Sequence, residues 1–157
     1  MAANEVARPF TAFNFRVSIA LGGEPGVLCD AAFAECTGLE MTAGVKTIRQ
    51  GGDNNRAIHL AGPVSYGQLT LKRGMTSSFD LWAWFERVLV DRHQRATCEV
   101  AMLSSDRRTT NAVFSLTGCL PMKLKVPTLD AKAGAVAIEE MQIAYETLSL
   151  KPGDGRA

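Results

Sequence analysis

The sequence predicts a mainly β fold, a small antiparallel β-barrel or sandwich flanked by one α-helix. Three observations lead to this prediction. Apolar residues alternate with polar ones along most of the chain, the pattern of half-buried strands. Clusters rich in glycine, proline and asparagine separate these stretches. Only one segment has apolar residues at helical spacing, and strands and helices do not alternate. The length of 157 residues predicts a single domain over residues 1–157, with its core at about 10–150.

The first half of the chain has the clearest strand patterns. Residues 13–21 alternate strictly, and the run from Gly22 to Gly26 then has the composition of a turn. Gly62 and Pro63 are expected to separate two further short strands. In chain order, strands are predicted at residues 13–21, near Val27, and at 39–46, 58–60 and 64–72.

The single predicted helix follows Arg73 and Gly74. Ser77 or Ser78 is expected to cap its start, because either side chain can accept a bond from an unpaired amide of the first turn. The helical spacing predicts one apolar stripe that packs on a sheet, with Trp82 and Phe85 as core anchors and Trp84 in solvent or at a contact with another subunit. That stripe comprises Leu81, Trp82, Phe85, Val88 and Leu89.

Strand patterns return in the second half. Residues 97–102 and 112–116 are expected to flank a hairpin tip at 104–108, and another strand covers 122–126. Residues 136–150 alternate with one change of phase, so a strand with a bulge between Ile138 and Met141 is predicted. Glu139 and Glu140 then point to opposite faces and cannot serve as a paired acid and base.

Charge and hydropathy exclude several classes of protein. Seventeen basic and 16 acidic residues give a net charge of +1, which argues against a polybasic membrane binder or a dedicated nucleic-acid binder. A nucleic-acid-binding barrel would need basic residues among exposed aromatics, and only Lys123 and Lys125 form such a row. There is no apolar run long enough for a transmembrane helix and no signal-peptide pattern, so synthesis in the cytoplasm is expected, without membrane insertion.

A search for reactive chemistry finds no motif. Four cysteines lie among small or apolar neighbours without the paired spacing of a zinc site, so no metal, cofactor or catalytic residue is predicted. One alternative stays open, a small cytosolic β-barrel enzyme that uses Cys98 or Cys119. In that case His93 is the candidate base for Cys98, although no third group is evident to orient it.

The order of motifs along the chain is more informative than any one of them. The most specific segment, Leu71-Lys72-Arg73-Gly74, comes shortly before the tryptophan-rich helix. Together the motifs resemble phage-type tail tube proteins over about residues 10–150. They are Phe13-x-Phe15-x-Val17-x-Ile19, Phe33 to Glu40, Gly51-Gly52-Asp53-Asn54, Gly62-Pro63-Val64-x-Tyr66, Leu69 to Thr76, Leu81-Trp82-x-Trp84, Phe114 to Lys123 and Ile138 to Leu148.

This resemblance is to the inner tube proteins of contractile phage tails and extracellular contractile injection systems, a family similar in turn to the haemolysin-coregulated protein of type VI secretion. It implies a non-enzymatic subunit of stacked hexameric rings that line a cargo channel inside a contractile sheath. The implied partners are other copies of the chain, the sheath, the baseplate or spike, and the tube terminator. The alternative within the family is a baseplate or tube-initiator protein, although such proteins usually have extra domains.

One polar loop is the candidate for contact between rings. Residues 50–56 are too polar to be buried in the subunit's own core, since their amides would lack partners. The loop could still be ordered by the next ring, with Asp53 and Arg56 supplying complementary charges. The predicted ring-stacking residues are Gly51, Gly52, Asp53, Asn54 and Arg56.

Overall fold

The structure is a computed structural model, and it describes residues 9–52 and 55–153. Within those residues the chain forms ten strands and one helix, and every strand pairing is antiparallel. In chain order they are β1 (Phe15–Leu21), β2 (Cys29–Ala31), β3 (Glu35–Thr37), β4 (Met41–Ile48), β5 (Ile58–Tyr66), β6 (Gln68–Gly74), α1 (Asp80–Val90), β7 (Ala96–Leu103), β8 (Thr110–Lys125), β9 (Ile138–Ala144) and β10 (Thr147–Pro152).

Eight of the strands form one sheet. Its order is β2-β1-β7-β8-β9-β6-β3, with β10 paired beside β8, while β4 and β5 form a separate two-stranded ribbon. The mainly β, antiparallel prediction with one flanking helix is therefore confirmed. The sheet is not closed into a barrel, because the short strands β2 and β3 end it on opposite sides.

The bend in β8 folds the sheet over. The first part of this 16-residue strand pairs with β7 and β10, and its last part pairs with β9. At the bend Gly118 has a φ of +63°, and a Cβ there would lie 2.5 Å from the Glu146 carboxylate. The Glu146 N–H donates to the Thr117 carbonyl at 2.8 Å, so the partner strand turns at the same level. The two halves of the sheet thus cover one core.

The irregularity in the last segment lies further along the chain than the predicted bulge. The pairing of β6 with β9 runs without a shift from Gly74 and Ile138 to Gln68 and Ala144. The predicted bulge between Ile138 and Met141 is therefore wrong, and the segment breaks at Tyr145 and Glu146 instead, opposite the bend of β8.

The core consists of the inward residues of both halves of the sheet and one face of α1. Alternate positions of β1, β6 and β9 are fully buried, as a period of two requires. The side chains with the least exposure are Trp84, Ile19, Leu69, Leu71, Leu81, Leu116, Met141, Ile143, Val17, Cys98 and Cys119.

The helix face differs from the prediction by about one residue. Trp84 is 0% exposed, whereas Trp82, the predicted core anchor, is 50% exposed. At about 100° per residue, positions i, i+3, i+4 and i+7 from Leu81 form one stripe, and Trp82 lies about 100° away from its start. Phe85 is partly buried against the core. The core stripe is therefore Leu81, Trp84, Phe85 and Val88.

The helix also begins without the predicted serine cap. Its N-cap residue is Phe79, which makes no side-chain capping bond. The Asp80 carboxylate instead accepts a bond from the Leu81 N–H at 2.8 Å. An acidic residue in the first turn also complements the positive end of the helix dipole, so Asp80 takes over part of the expected role of Ser77 or Ser78.

The prediction that Gly62 and Pro63 separate two strands is wrong. Strand β5 passes through both residues, and its pairing with β4 shifts register between Ala43 and Val45. A Cβ on Gly62 would lie 2.7 Å from the Gly44 carbonyl oxygen, so the two glycines allow the backbones to approach at a bulge. A proline is tolerated here because both strands of a two-stranded ribbon are edge strands.

Candidate assembly surfaces

The largest exposed apolar feature is the ribbon of β4, β5 and their connection, residues 41–66, which we call the arm. No other described strand or helix packs extensively against it. All of β4 and nearly all of β5 are exposed. Met41 is 62% exposed, Leu60 45% and Val64 53%, values unusual for apolar side chains on a strand.

The register assigns the arm's side chains to two faces. Residues paired across antiparallel strands share a face, and successive residues alternate. The extra residue of the bulge lies on β5, between Ala61 and Val64, so Ala43 and Val45 of β4 stay on one face. The apolar face therefore consists of the pairs Met41–Tyr66, Ala43–Val64 and Val45–Ala61, followed by Thr47–His59.

The opposite face of the arm carries the pairs Thr42–Ser65, Lys46–Leu60 and Ile48–Ile58. Polar groups on both faces are paired locally. The Ser65 hydroxyl donates to the Thr42 carbonyl at 3.3 Å, and on the apolar face Thr47 Oγ1 lies 3.3 Å from His59 Nδ1. The arm is an amphipathic ribbon, and two-stranded ribbons are only marginally stable in isolation. Its apolar face therefore lacks a cover within the described part of the chain.

The base of the arm is fixed by Tyr145, which is 7% exposed. Its hydroxyl donates to the Gly38 carbonyl at 2.8 Å and accepts from the Glu40 N–H at 3.2 Å. Its ring lies 5.8 Å from that of Tyr66, at a tilted angle of 53°. A Cβ on Gly38, which has a φ of +91°, would lie 1.8 Å from the Gln68 carbonyl oxygen. The start and the end of the arm are thereby tied to the core.

The predicted ring-stacking loop is the tip of the arm. Gly51 and Gly52 form its turn, and no atom lies within 4 Å of the place a Cβ would take on either residue. Gly52 has a φ of +96°, a conformation that favours glycine. Arg56 lies close by and lines the same concavity as both glycines. Asp53 and Asn54 are outside the described residues, so the tip role stays a prediction.

A buried ionic cluster joins the helix to the sheet. Arg73 Nε donates to a Glu139 carboxylate oxygen at 2.5 Å, and its terminal nitrogens bond both oxygens of Asp80. The guanidinium also lies 5.4 Å from the Phe33 ring centroid, and it donates to Cys29 Sγ at 3.6 Å. The three charged side chains are between 8% and 16% exposed.

The pKa values in this cluster follow from its pairing. Burial alone opposes the charges, but the hydrogen bonds and charge of Arg73 outweigh it and hold the pKa of Asp80 below its usual value. In return, the two carboxylates raise the pKa of Arg73 above its already high value in spite of burial. Arg73 and Asp80 are therefore both charged at neutral pH, and the cluster fastens α1 to β6 and β9.

The sequence contains a signal for this cluster, although no prediction was made from it. Arg73 continues the inward alternation of Leu69 and Leu71, and Glu139 stands in phase with Met141 and Ile143. Arg73 and Glu139 are direct cross-strand partners. Two opposite charges in the inward phase of two strands predict a buried pair if the strands are known to be neighbours. The prediction that Glu139 and Glu140 face opposite ways is confirmed.

The cysteines do not have the setting of a nucleophile. Cys98 and Cys119 are fully buried, whereas His93 is exposed. Contact with Cys119 and burial raise the pKa of the Cys98 thiol well above its usual value, and burial raises the pKa of Cys36 to about 11. Reactive cysteines are accessible and have a lowered pKa. The hydrogen bond with Cys98 lowers the pKa of Cys119, but that thiol is fully buried. All four cysteines are free thiols.

Residues 9–52 and 55–153 give no support for a metal site, a membrane-spanning helix or a basic binding surface. These residues contain no cluster of side chains able to hold a metal ion. Their one helix is too short to cross a bilayer. Lys125 pairs across the strands with Glu140, and Lys123 with Gln142, so the lysine row is not a purely basic surface.

The sequence was then compared with known families. A profile of the T4-like virus tail tube protein gp19 matches residues 11–149. The chain belongs to this tail tube family. The resemblance inferred from the motifs is therefore confirmed over most of the chain. No curated protein matches the sequence.

Solved structures agree with the tail tube assignment. A chain in the anti-feeding prophage baseplate is 28% identical, with a TM-score of 0.81 over 93% of this chain and 97% of that one. A chain in the sheath–tube complex of an extracellular contractile injection system is 18% identical, with a TM-score of 0.78 over 94% of both. A third, from a sheath and tube terminator, is 18% identical, with a TM-score of 0.78 over 93% and 99%.

Family and neighbours together give the protein a structural role of tube or baseplate type in phage tails or phage tail-like injection particles. Similarity at 18% identity supports the fold alone, whereas the family match rests on the sequence itself. An exposed amphipathic arm, open sheet ends and many exposed apolar side chains are typical of a subunit that packs against other chains.

Proposed function

We propose that the protein is a single-domain subunit of the inner tube of a contractile phage tail-like injection particle. In this proposal it forms hexameric rings that stack and line a cargo channel inside a contractile sheath. The partners are other copies, the sheath, the baseplate or spike and the tube terminator, without enzymatic activity, membrane insertion or specific nucleic-acid binding. The subunit is made in the cytoplasm and leaves the cell only as part of the particle.

The observation that carries the proposal is the arm. A ribbon more than 20 Å long, estimated from eight residues at about 3.3 Å each, stands in solvent with exposed apolar side chains, and no other described strand or helix packs extensively on it. A face of this kind is stabilised when another protein covers it. Assembly into rings supplies such a cover to every copy in the same way, because a head-to-tail contact that closes on itself leaves no subunit unpaired.

The proposal assigns the tip of the arm to contact between rings. Gly51 and Gly52 form a turn in the connection between β4 and β5, at the end of the ribbon away from its base at Tyr145. Asp53, Asn54 and Arg56 follow them in the sequence. A polar tip suits a contact that forms and separates in water, and the apolar face behind it suits a permanent one. The tip thereby sets the order of rings while the arm itself supplies stability.

The test replaces Gly51 with valine and measures tube length by electron microscopy beside thermal melting. A Cβ at Gly51 meets no atom within 4 Å, so the folded subunit tolerates the change. We expect unchanged melting and a loss of stacked tubes. Gly134→Val is the matched control, since its surroundings are equally open and it lies outside the arm. Full-length tubes from Gly51→Val would contradict the assignment of the tip.

A second candidate, the tube initiator, is favoured by one comparison. The 28% identical chain belongs to a baseplate structure, whereas the sheath–tube chain is only 18% identical. An initiator forms one ring and does not continue to polymerise by itself. Micrographs of the purified protein distinguish the two candidates, because single rings at every concentration indicate an initiator and extended tubes indicate a tube subunit.

A further inference from the structure

The arm carries one of the two histidines of the chain. His59 lies on β5 and pairs across the ribbon with Thr47 of β4. By the alternation of the strands, both residues stand on the apolar face of the arm, next to the pair Val45–Ala61. His59 is exposed in the isolated subunit. A side chain of the type that changes charge near neutral pH therefore stands on the surface that the proposed function covers.

The hydrogen bond between His59 and Thr47 can form in both charge states of the ring. His59 Nδ1 lies 3.3 Å from Thr47 Oγ1, and a hydroxyl can either donate to a neutral ring nitrogen or accept from a protonated one. Because Nδ1 bonds on the ribbon, Nε2 is the ring nitrogen that meets a covering protein. When Nδ1 accepts from Thr47, Nε2 carries a hydrogen with or without the second proton, so protonation changes the charge of the ring at this contact.

The described charges around His59 within the arm are all positive. β4 is the element that packs on β5, and its side chains on the same face as His59 are uncharged. Lys46 lies on the opposite face, and Arg49 and Arg56 lie toward the tip. The described residues of the arm include no carboxylate that could stabilise an imidazolium ion.

We propose that His59 makes the assembly of this chain sensitive to pH, because its imidazole must be neutral in the assembled state. This pH sensitivity rests on the proposed function, in which another chain covers the arm. Covering the face removes water from the imidazole, and a buried cation without a nearby carboxylate is strongly disfavoured. A subunit that carries the proton must therefore release it when the arm is covered, and a fall in pH shifts the equilibrium toward free subunits.

The size of the effect follows from proton linkage. A histidine in solvent ordinarily has a pKa of about 6.5, so it is about one-tenth protonated at pH 7.5 and about nine-tenths protonated at pH 5.5. Because only the neutral form fits a covered arm, the association constant per subunit falls about tenfold between these two pH values. The ionic cluster does not contribute in this range, since the pKa of Asp80 lies below its usual acidic value.

The test compares the wild type with His59→Gln at pH 7.5 and pH 5.5. Sedimentation measures the critical concentration, above which rings or tubes appear, and preformed baseplates are added as nuclei. The wild type should need about tenfold more protein at pH 5.5. Glutamine is polar and does not titrate, so His59→Gln should assemble equally well at both. His93→Gln is the matched control, because His93 is exposed after α1 and outside the arm, and it should behave as the wild type does.

A second variant reproduces the protonated state. His59→Lys places a permanent cation at the same position, so it should need the higher protein concentration at both pH values. Thermal melting of each variant verifies that the subunit is folded. His59 is exposed on the arm, and none of these substitutions is expected to change the melting temperature.

The contrary results separate the two proposals. A wild type with equal critical concentrations at the two pH values, or a tenfold change that persists in His59→Gln, would overturn the role of His59 and leave the proposed function standing. Stronger assembly of the wild type at pH 5.5 would also overturn it, because the cover would then attract the cation. A wild type that stays monomeric at both pH values, even with preformed baseplates, would overturn the proposed function and the pH sensitivity together.

Discussion

The arm and the folded sheet have the same alternation of apolar and polar residues, but only the sheet hides its apolar face. Leu69 and Leu71 of β6 are fully buried, whereas Met41 and Val64 of the arm stand in solvent. The difference shows that a period of two identifies which face of a strand is apolar and does not identify what covers it. In the sheet the cover is the same chain, and for the arm no comparable cover lies within residues 9–52 and 55–153.

The largest expected effect is on the core side of this comparison. Trp84→Ala should lower the free energy of unfolding by about 3–5 kcal/mol, because it empties a fully buried site below the helix. Trp82→Ala, two residues earlier on the same helix, should cost less than about 1 kcal/mol. Chemical denaturation measures the loss in the free energy of unfolding for both variants. Equal losses would show that the assignment of the helix faces is wrong.

A second effect concerns the ionic cluster. Arg73→Met should cost about 3 kcal/mol at pH 7, since it leaves the carboxylates of Asp80 and Glu139 buried without a partner. Lys72→Met is the matched control on the adjacent, exposed position, where the ion pair with Glu35 contributes less than about 1 kcal/mol. The midpoints of urea unfolding of the wild type, Arg73→Met and Lys72→Met at pH 7 measure the difference in stability.

The same variant has a predictable pH dependence. The pKa of Asp80 is lower in the folded protein than in the unfolded chain, so its contribution to stability is fully present above about pH 4 and is lost as the pH falls through the folded value. Arg73→Met lacks this contribution, so the difference in the free energy of unfolding between the wild type and Arg73→Met should narrow below about pH 4. A difference that stays constant down to pH 3 would contradict the ion pair between Arg73 and Asp80.

The smallest effect is expected from the arm. Replacing residues 43–64 with an Asn-Gly turn keeps the base at Met41 and Tyr66 and should change the free energy of unfolding by no more than about 0.5 kcal/mol, because the described residues of this segment pack mainly on each other. Thermal melting tests the core, and light scattering should show the loss of assembly. A collapse of the melting transition would mean that the arm belongs to the core.

The alternation of residues was enough to predict the fold class, most strands and the single helix. The sequence could not show that the sheet stays open, since closure depends on how far β2 and β3 extend. The face of the helix was misassigned because Trp82 and Trp84 are both large and apolar, and a span of 11 residues leaves both stripes plausible by spacing alone. Only packing distinguishes them.

The surfaces were predicted in part. The composition of residues 50–56 indicated an exposed glycine turn, and the described part of that loop is the tip of the arm. The long apolar face behind it was not anticipated, because its alternation was taken for that of a half-buried strand. The Arg73 cluster was missed because its members are close only after β6, β9 and α1 have come together.

The tyrosine at the base of the arm has a mechanical consequence. A ribbon of eight residues is a lever of about 26 Å, and a rotation of about 10° at its base moves its end by about 4.6 Å, close to the spacing of neighbouring strands. The Tyr145 hydroxyl, bonded at Gly38 and Glu40, is the fulcrum. A single phenol group therefore limits how far the end of the arm can swing relative to the core.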